Sequence, residues 1–170
     1  MTPARSLLIA MVAAVLLIGA RPGAEAQFPR GLLAGAPRDA PIPICAIETR
    51  PLSFGIYDPM ANADLDALAQ IIYTCNNHAK KIRIEMTTGT SNTFDRSMSS
   101  GATDHLNYNI YLDSTRQTIW GQGAFGTDVY YQNNPPNGTP VMIPAYGRIP
   151  ARQNVPPGNY VDVLTVRVLF

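Results

Sequence analysis

Few residues in this sequence have types and spacings that could carry chemistry. Gly121-Gln122-Gly123-Ala124-Phe125-Gly126 fits G-x-G-x-x-G, the pattern that lets a helix N-terminus hold a dinucleotide pyrophosphate. That use needs a helix opening at the glycines and an acid about 20 residues later. Here Thr127-Asp128-Val129-Tyr130-Tyr131 and a Pro-Pro pair follow, and Val141 to Tyr146 holds no acid, so the glycines are expected as turn residues. His78 and His105 stand alone, without metal-ligand spacing to Cys, Asp or Glu. There is no G-x-S-x-G elbow, and neither cysteine sits in a C-x-x-C. Asp95, Asp104 and Asp113 are dispersed, and their spacing alone leaves a glycoside-cleaving carboxylate pair open. Asn137-Gly138-Thr139 fits a glycosylation sequon and an exposed turn equally well. The sequence supports no enzyme, no cofactor and no metal site.

The remaining reactive pair is Cys45 and Cys75, and its reading depends on compartment. Met1 to Arg5 carries one positive charge, Ser6 to Ala20 is almost wholly apolar, and Ala24-Glu25-Ala26 supplies a small-x-small cleavage pattern. Residues 1–26 therefore read as a secretory signal peptide, because the apolar run is shorter than the roughly 20 residues a spanning helix needs. Of the chain's 13 basic and 12 acidic residues, removal of Arg5, Arg21 and Glu25 leaves 11 of each. A neutral exported domain has no net field to steer nucleic acid, so association must come from shape and apolar burial. In an exported chain two cysteines are expected as one disulfide, and closing a loop of that length stabilises by roughly 3.5 kcal/mol.

The elements that must position these residues read as strands. Residues 27–44 form a Pro/Gly/Ala-rich leader with Pro29, Pro37, Pro41 and Pro43 at odd positions. Phe28, Leu32, Ala34, Ala36, Ala40, Ile42 and Ile44 occupy even ones. If extended, the leader has one apolar side and lacks N–H groups along one edge; a disordered linker is the other reading. Short extended pieces follow from Ile44 to Tyr57. Asp64 to Ala69 is expected as one helical turn, Gln70 to Cys75 as a strand, and Lys81 to Met86 as a strand wet on one face. Thr87 to Asp104 reads as a long loop or irregular hairpin, Leu106 to Asp113 as a strand, and Trp120 through Gly138 as a loop. Val141 to Ile149 is a strand that Pro144 restricts. From Tyr160 to Phe170 an uninterrupted closing strand is expected, with Tyr160, Leu164, Val166, Val168 and Phe170 on its buried face. Strands separated by turn residues, without helices, argue an all-β sandwich.

Several motifs stand in order along the chain: Phe54-Gly55-x-Tyr57, Tyr108-Asn109-x-Tyr111-x-Asp113, Trp120-Gly121-x-Gly123, Tyr146-Gly147-Arg148-Ile149 and Pro157-Gly158-x-Tyr160-x-Asp162. Together with the closing strand they resemble the spore coat protein U domain, shared with subunits of archaic chaperone–usher pili, over about residues 45–170. The resemblance implies an incomplete immunoglobulin-like β-sandwich, pilin-like and lacking its last strand. Its disulfide would join the first strand to the second. Its groove would be lined by Tyr160, Leu164, Val166, Val168 and Phe170, with the terminal carboxylate as a chaperone anchor. The implied partners are a periplasmic pilus chaperone, an outer-membrane usher and neighbouring pilin-like subunits. The implied donor segment is Phe28, Leu32, Ala34, Ala36, Ile42 and Ile44, although proline crowding there departs from the family pattern. The single-domain length argues against a two-domain tip adhesin. The alternative from another class is a self-sufficient secreted coat or carbohydrate-binding module, with exposed aromatics such as Tyr130 and Tyr131 taking ligand.

Overall fold

The computed structural model describes residues 42–101 and 103–170. In chain order its strands are β1 (Ile44–Arg50), β2 (Leu65–Asn76), β3 (Lys81–Met86), β4 (Ser97–Ser100), β5 (Asp104–Asn107), β6 (Asn109–Tyr111), β7 (Tyr130–Asn133), β8 (Val141–Ile149) and β9 (Val166–Leu169). A three-residue 3-10 turn at Gly89–Ser91 is the only helical element among the described residues. One sheet has the order β1-β2-β8-β6, a second β7-β3-β9, and β4 with β5 makes a two-stranded flap; every strand pairing is antiparallel. The architecture is all-β, as the strand-and-turn pattern requires.

Period-2 alternation builds the core. Ile71 and Tyr73 of β2, Ile143 and Ala145 of β8, and Ile82, Ile84 and Met86 of β3 are buried together. Trp120 sits among them without solvent contact, and its indole N–H donates to the Ile84 carbonyl at 3.0 Å. The partner matters, because an unpaired indole N–H buried there would cost about 1–3 kcal/mol.

Hydrogen bonds fix which way each strand edge points. Gly138 N–H donates to the Cys75 carbonyl at 2.8 Å, so odd residues of β2 turn their backbone groups toward the β8 side. Cys45 opposite Cys75 is then a non-hydrogen-bonded pair, the type in which antiparallel strands bring Cα atoms closest. The expected disulfide forms there, with its Cα atoms 4.1 Å apart. The same parity explains Pro144 within a nine-residue strand. Its nitrogen points away from β2, and β6 pairs only with Tyr146, Gly147 and Arg148, so no ladder bond is lost.

Four sequence expectations need correction. Asp64 to Ala69 is no helical turn: from Leu65 it belongs to β2, because pairing with β8 outweighs the helix preference of Ala and Leu. Asp66 on that strand receives a two-pronged bond from Arg148 at 2.8 and 2.9 Å. The stretch from Leu106 to Asp113 is interrupted at Tyr108, although Leu106, Tyr108 and Ile110 all stay buried across the break. The loop after Trp120 contains β7, which pairs with β3. Finally, the closing strand is not continuous. Val161 pairs with Ser99 of β4, and only Val166–Leu169 pairs with β3.

Candidate strand-accepting groove

The closing segment changes partner but keeps its alternation. Tyr160, Asp162, Leu164, Val166 and Val168 are half-buried, while Val161, Val163, Thr165, Arg167 and Leu169 are exposed. Thr87 N–H donates to the Thr165 carbonyl at 3.0 Å, which continues the β3 pairing one step beyond β9. Odd residues thus point their backbone groups at β3, and Leu164, Val166 and Val168 point theirs at the open side. An apolar inner face and an unpaired backbone edge therefore coincide on the same residues.

Opposite runs the extended, unpaired stretch Pro51–Tyr57. Its motif residues hold it down. Phe54 meets Tyr108 edge-on at 6.0 Å, the Tyr57 hydroxyl donates to the Pro150 carbonyl at 3.0 Å, and Gln153 N–H donates to that hydroxyl at 2.7 Å. Leu52 and Phe54 lie directly over Gly147 of β8, where an added Cβ would come within 2.6 Å of Leu52 and 2.8 Å of Phe54. Between the two walls lies a trough with two cavities. One, of about 290 Å³, has Ile71, Met86, Ile110 and Ala145 in its lining. The other, of about 840 Å³, lies over Met98, Leu106 and Ile149. Leu52, Phe54, Met98, Tyr160 and Val161 border both.

A polar hub anchors the closing segment where it changes partner. The Asp162 carboxylate accepts from Thr90 N–H and hydroxyl, each at 3.0 Å, from the Tyr108 hydroxyl at 2.8 Å and from Val163 N–H at 2.8 Å. Burial, reinforced by that bond to Asp162, pushes the Tyr108 hydroxyl above its ordinary range. Beside it Arg96 has 0% solvent exposure. Its guanidinium donates to the Thr87 carbonyl at 3.0 and 2.8 Å, to the Trp120 carbonyl at 2.7 Å and to Asn109 Oδ1 at 2.6 Å. Burial pulls Arg96 down to about 10, against the opposing pull of Tyr108 and Asp162.

Sequence reasoning missed Arg96, which lies in a Ser/Thr/Asn-rich stretch resembling a solvated loop. Its sole sequence signal is a lone cation between Asp95 and an incipient strand. Of the residues expected to line the groove, Tyr160, Leu164 and Val166 border the smaller cavity, and Val168 packs against the core. Phe170 stands 52% exposed and borders neither cavity. Phe28, Leu32, Ala34 and Ala36 lie outside the described residues. Ile42 and Ile44 are exposed, and Ile44 of β1 is already paired with Asn76 of β2. The expectation that Tyr130 is an exposed ligand-binding aromatic is overturned: its ring packs between Tyr73 and Trp120, whereas Tyr131 is 51% exposed. The glycines after Trp120 form turns, with Gly123 and Gly126 at positive φ, and open no helix. Among the described residues no His, Cys, Asp or Glu cluster could hold a metal.

Antiparallel sheets around one core, with an open backbone edge along the closing segment, define the class of domain as an all-β fold. The chain belongs to the Spore Coat Protein U domain family, which it matches over residues 38–167. It is 36% identical to Protein U of Myxococcus xanthus over 75 residues, which are 44% of this chain and 40% of that protein. Its fold is similar to a chain in the crystal structure of the CsuC–CsuE chaperone–tip adhesion subunit pre-assembly complex from archaic chaperone–usher Csu pili of Acinetobacter baumannii. That likeness has a TM-score of 0.54 at 23% identity and covers 76% of this chain. The matched part spans about 40% of the length of each of these proteins.

Proposed function

We propose that this protein is a non-enzymatic structural subunit of a surface fibre, assembled by donor-strand exchange through a chaperone–usher pathway. It is exported through its signal peptide to the periplasm, where a pilus chaperone fills the trough with one of its own strands. At an outer-membrane usher, the extended segment of a neighbouring pilin-like subunit replaces that strand. The observation carrying this reading is the coincidence at Leu164, Val166 and Val168 of half-buried side chains with an unpaired backbone edge. An added strand supplies ladder bonds to that edge and side chains to the cavities, which is how strand addition gives both affinity and register. Membership of the protein U family and likeness to a chain from a pilus assembly complex support it.

The test is to produce the chain from Gln27 onward with and without a periplasmic pilus chaperone. Alone it aggregates or folds poorly; with the chaperone it forms a soluble one-to-one complex. In that complex the amides of Leu164, Val166 and Val168 become protected from hydrogen exchange. A soluble monomer whose closing-strand amides are already protected overturns the proposal in favour of a self-sufficient module.

A further inference from the structure

The trough is not the only place where an extended segment could add. Each sheet has outer strands with open backbone edges, and the structure shows how they are shortened. In β1 even residues bond β2, so Cys45, Ile47 and Thr49 point their N–H and C=O groups outward. The next position of the same parity before the strand is Pro43, which has no N–H to offer, and at the other end Pro51 begins the trough wall itself. In β7, Asn134 N–H donates to the Lys80 carbonyl at 2.8 Å, so the outward residues are Tyr131 and Asn133. Pro135 ends that edge on one side. On the other, Val129 N–H is consumed by Asp128 Oδ1 at 2.8 Å. In β5 the outward groups of Asn107 are taken by one side chain. Gln153 Oε1 accepts the Asn107 N–H at 2.7 Å, and Gln153 Nε2 donates to the Asn107 carbonyl at 2.8 Å. That amide occupies the place of one residue of an added strand.

The closing segment differs. From Asn159 to Phe170 there is no proline, and among the described residues no side chain caps the outward groups of Leu164, Val166 or Val168. We infer that Pro43, Pro135 and Gln153 are specificity determinants of strand addition. They shorten the competing edges, so that an incoming extended peptide strand is taken up at the closing segment and nowhere else. The inference rests on reading the trough as strand-accepting, and it gives two prolines and one side-chain amide on three different edges the same effect.

The experiment compares the chain from Gln27 onward with its Pro43→Val/Gln153→Ala variant, each saturated with the chaperone so that the trough is filled. Self-association is followed by sedimentation velocity and amide exchange is resolved by residue. Restoring an N–H at position 43 and uncapping Asn107 lengthens two edges, and self-association of the complex should tighten by about tenfold. New protection should appear at Cys45, Ile47 and His105, the outward β5 amide that no group holds in the parent. Pro43→Val alone, which changes a residue preceding the first strand, should give the β1 part of the effect without touching the fold. Unchanged association in both variants, or tighter association with no new protection at those amides, overturns the inference. Failure of the trough reading shows elsewhere, as Leu164, Val166 and Val168 amides that the chaperone does not protect.

Discussion

Gly147→Ala tests how the far wall of the trough is seated. The added methyl would lie 2.6 Å from Leu52 and 2.8 Å from Phe54, about 1 Å inside ordinary van der Waals contact. β8 is held by β2 along nine positions and cannot yield, whereas the Pro51–Tyr57 wall has no ladder partner and can. Overpacking of this size costs about 1–3 kcal/mol. Replacing glycine also reduces the freedom of the unfolded chain, which returns about 0.4–1 kcal/mol. The net expectation is a loss of about 1–2 kcal/mol, read from urea midpoints at unchanged slope. The decisive comparison is a double-mutant cycle with Leu52→Ala. Removing the Leu52 methyls makes room for the new one, so the double variant should be more stable than the sum of the singles by about 0.5–1 kcal/mol. A neutral Gly147→Ala, or a strictly additive cycle, refutes the seating and with it the shape of the trough.

Three other perturbations address the elements that hold the closing segment and the first strand. Arg96→Lys keeps the charge but loses the planar fork that reaches the Thr87 and Trp120 carbonyls together. It should lower stability by about 2–4 kcal/mol in a urea titration, and a loss below about 1 kcal/mol would contradict the hub. Replacing Cys45 and Cys75 together by alanine should cost roughly 3.5 kcal/mol, checked by comparing urea midpoints of the variant and the oxidised parent. The Tyr108 hydroxyl, raised by burial and by Asp162, favours the folded state fully below the ordinary tyrosine value of about 10. That contribution is lost as pH rises through and above this value. Arg96, pulled down to about 10, acts in the opposite sense, so the comparison must be with Tyr108→Phe. The parent should lose more stability than this variant between about pH 9 and about pH 11. Parallel pH profiles would show that the Tyr108–Asp162 bond does not contribute.

The parts of the fold visible in the sequence are those where a single strand has a wet side and a dry side. Lys81–Met86, Val141–Ile149 and the even-numbered face from Tyr160 to Val168 all alternate as their residue types require. Where a segment is defined by what it pairs with, the pattern fails. Asp64-Leu65-Asp66-Ala67-Leu68-Ala69 has the composition of a helix and from Leu65 becomes strand because Arg148 and β8 lie alongside. Tyr130–Asn133 looks like loop until β3 stands beside it. For the groove, one wall was legible as an apolar strand face in search of a cover. Its interruption near Asp162 was not, since hydrogen bonds from Thr90 and Tyr108 depend on residues far away in sequence. Gly147 appeared as part of a motif, and only the contact with Leu52 and Phe54 gives the glycine a reason.

The pairing of Arg83 with Leu169 joins residues separated in sequence by most of the domain. β3 precedes its partner by most of the domain in sequence, and ordering cannot finish until β9 has crossed to it. Such a late, long-range closure makes folding slow and leaves the edge of β3 exposed to other chains in the meantime. The partner proposed to cover the trough would therefore be needed earliest as a guardian in time, during the interval before β9 docks on β3.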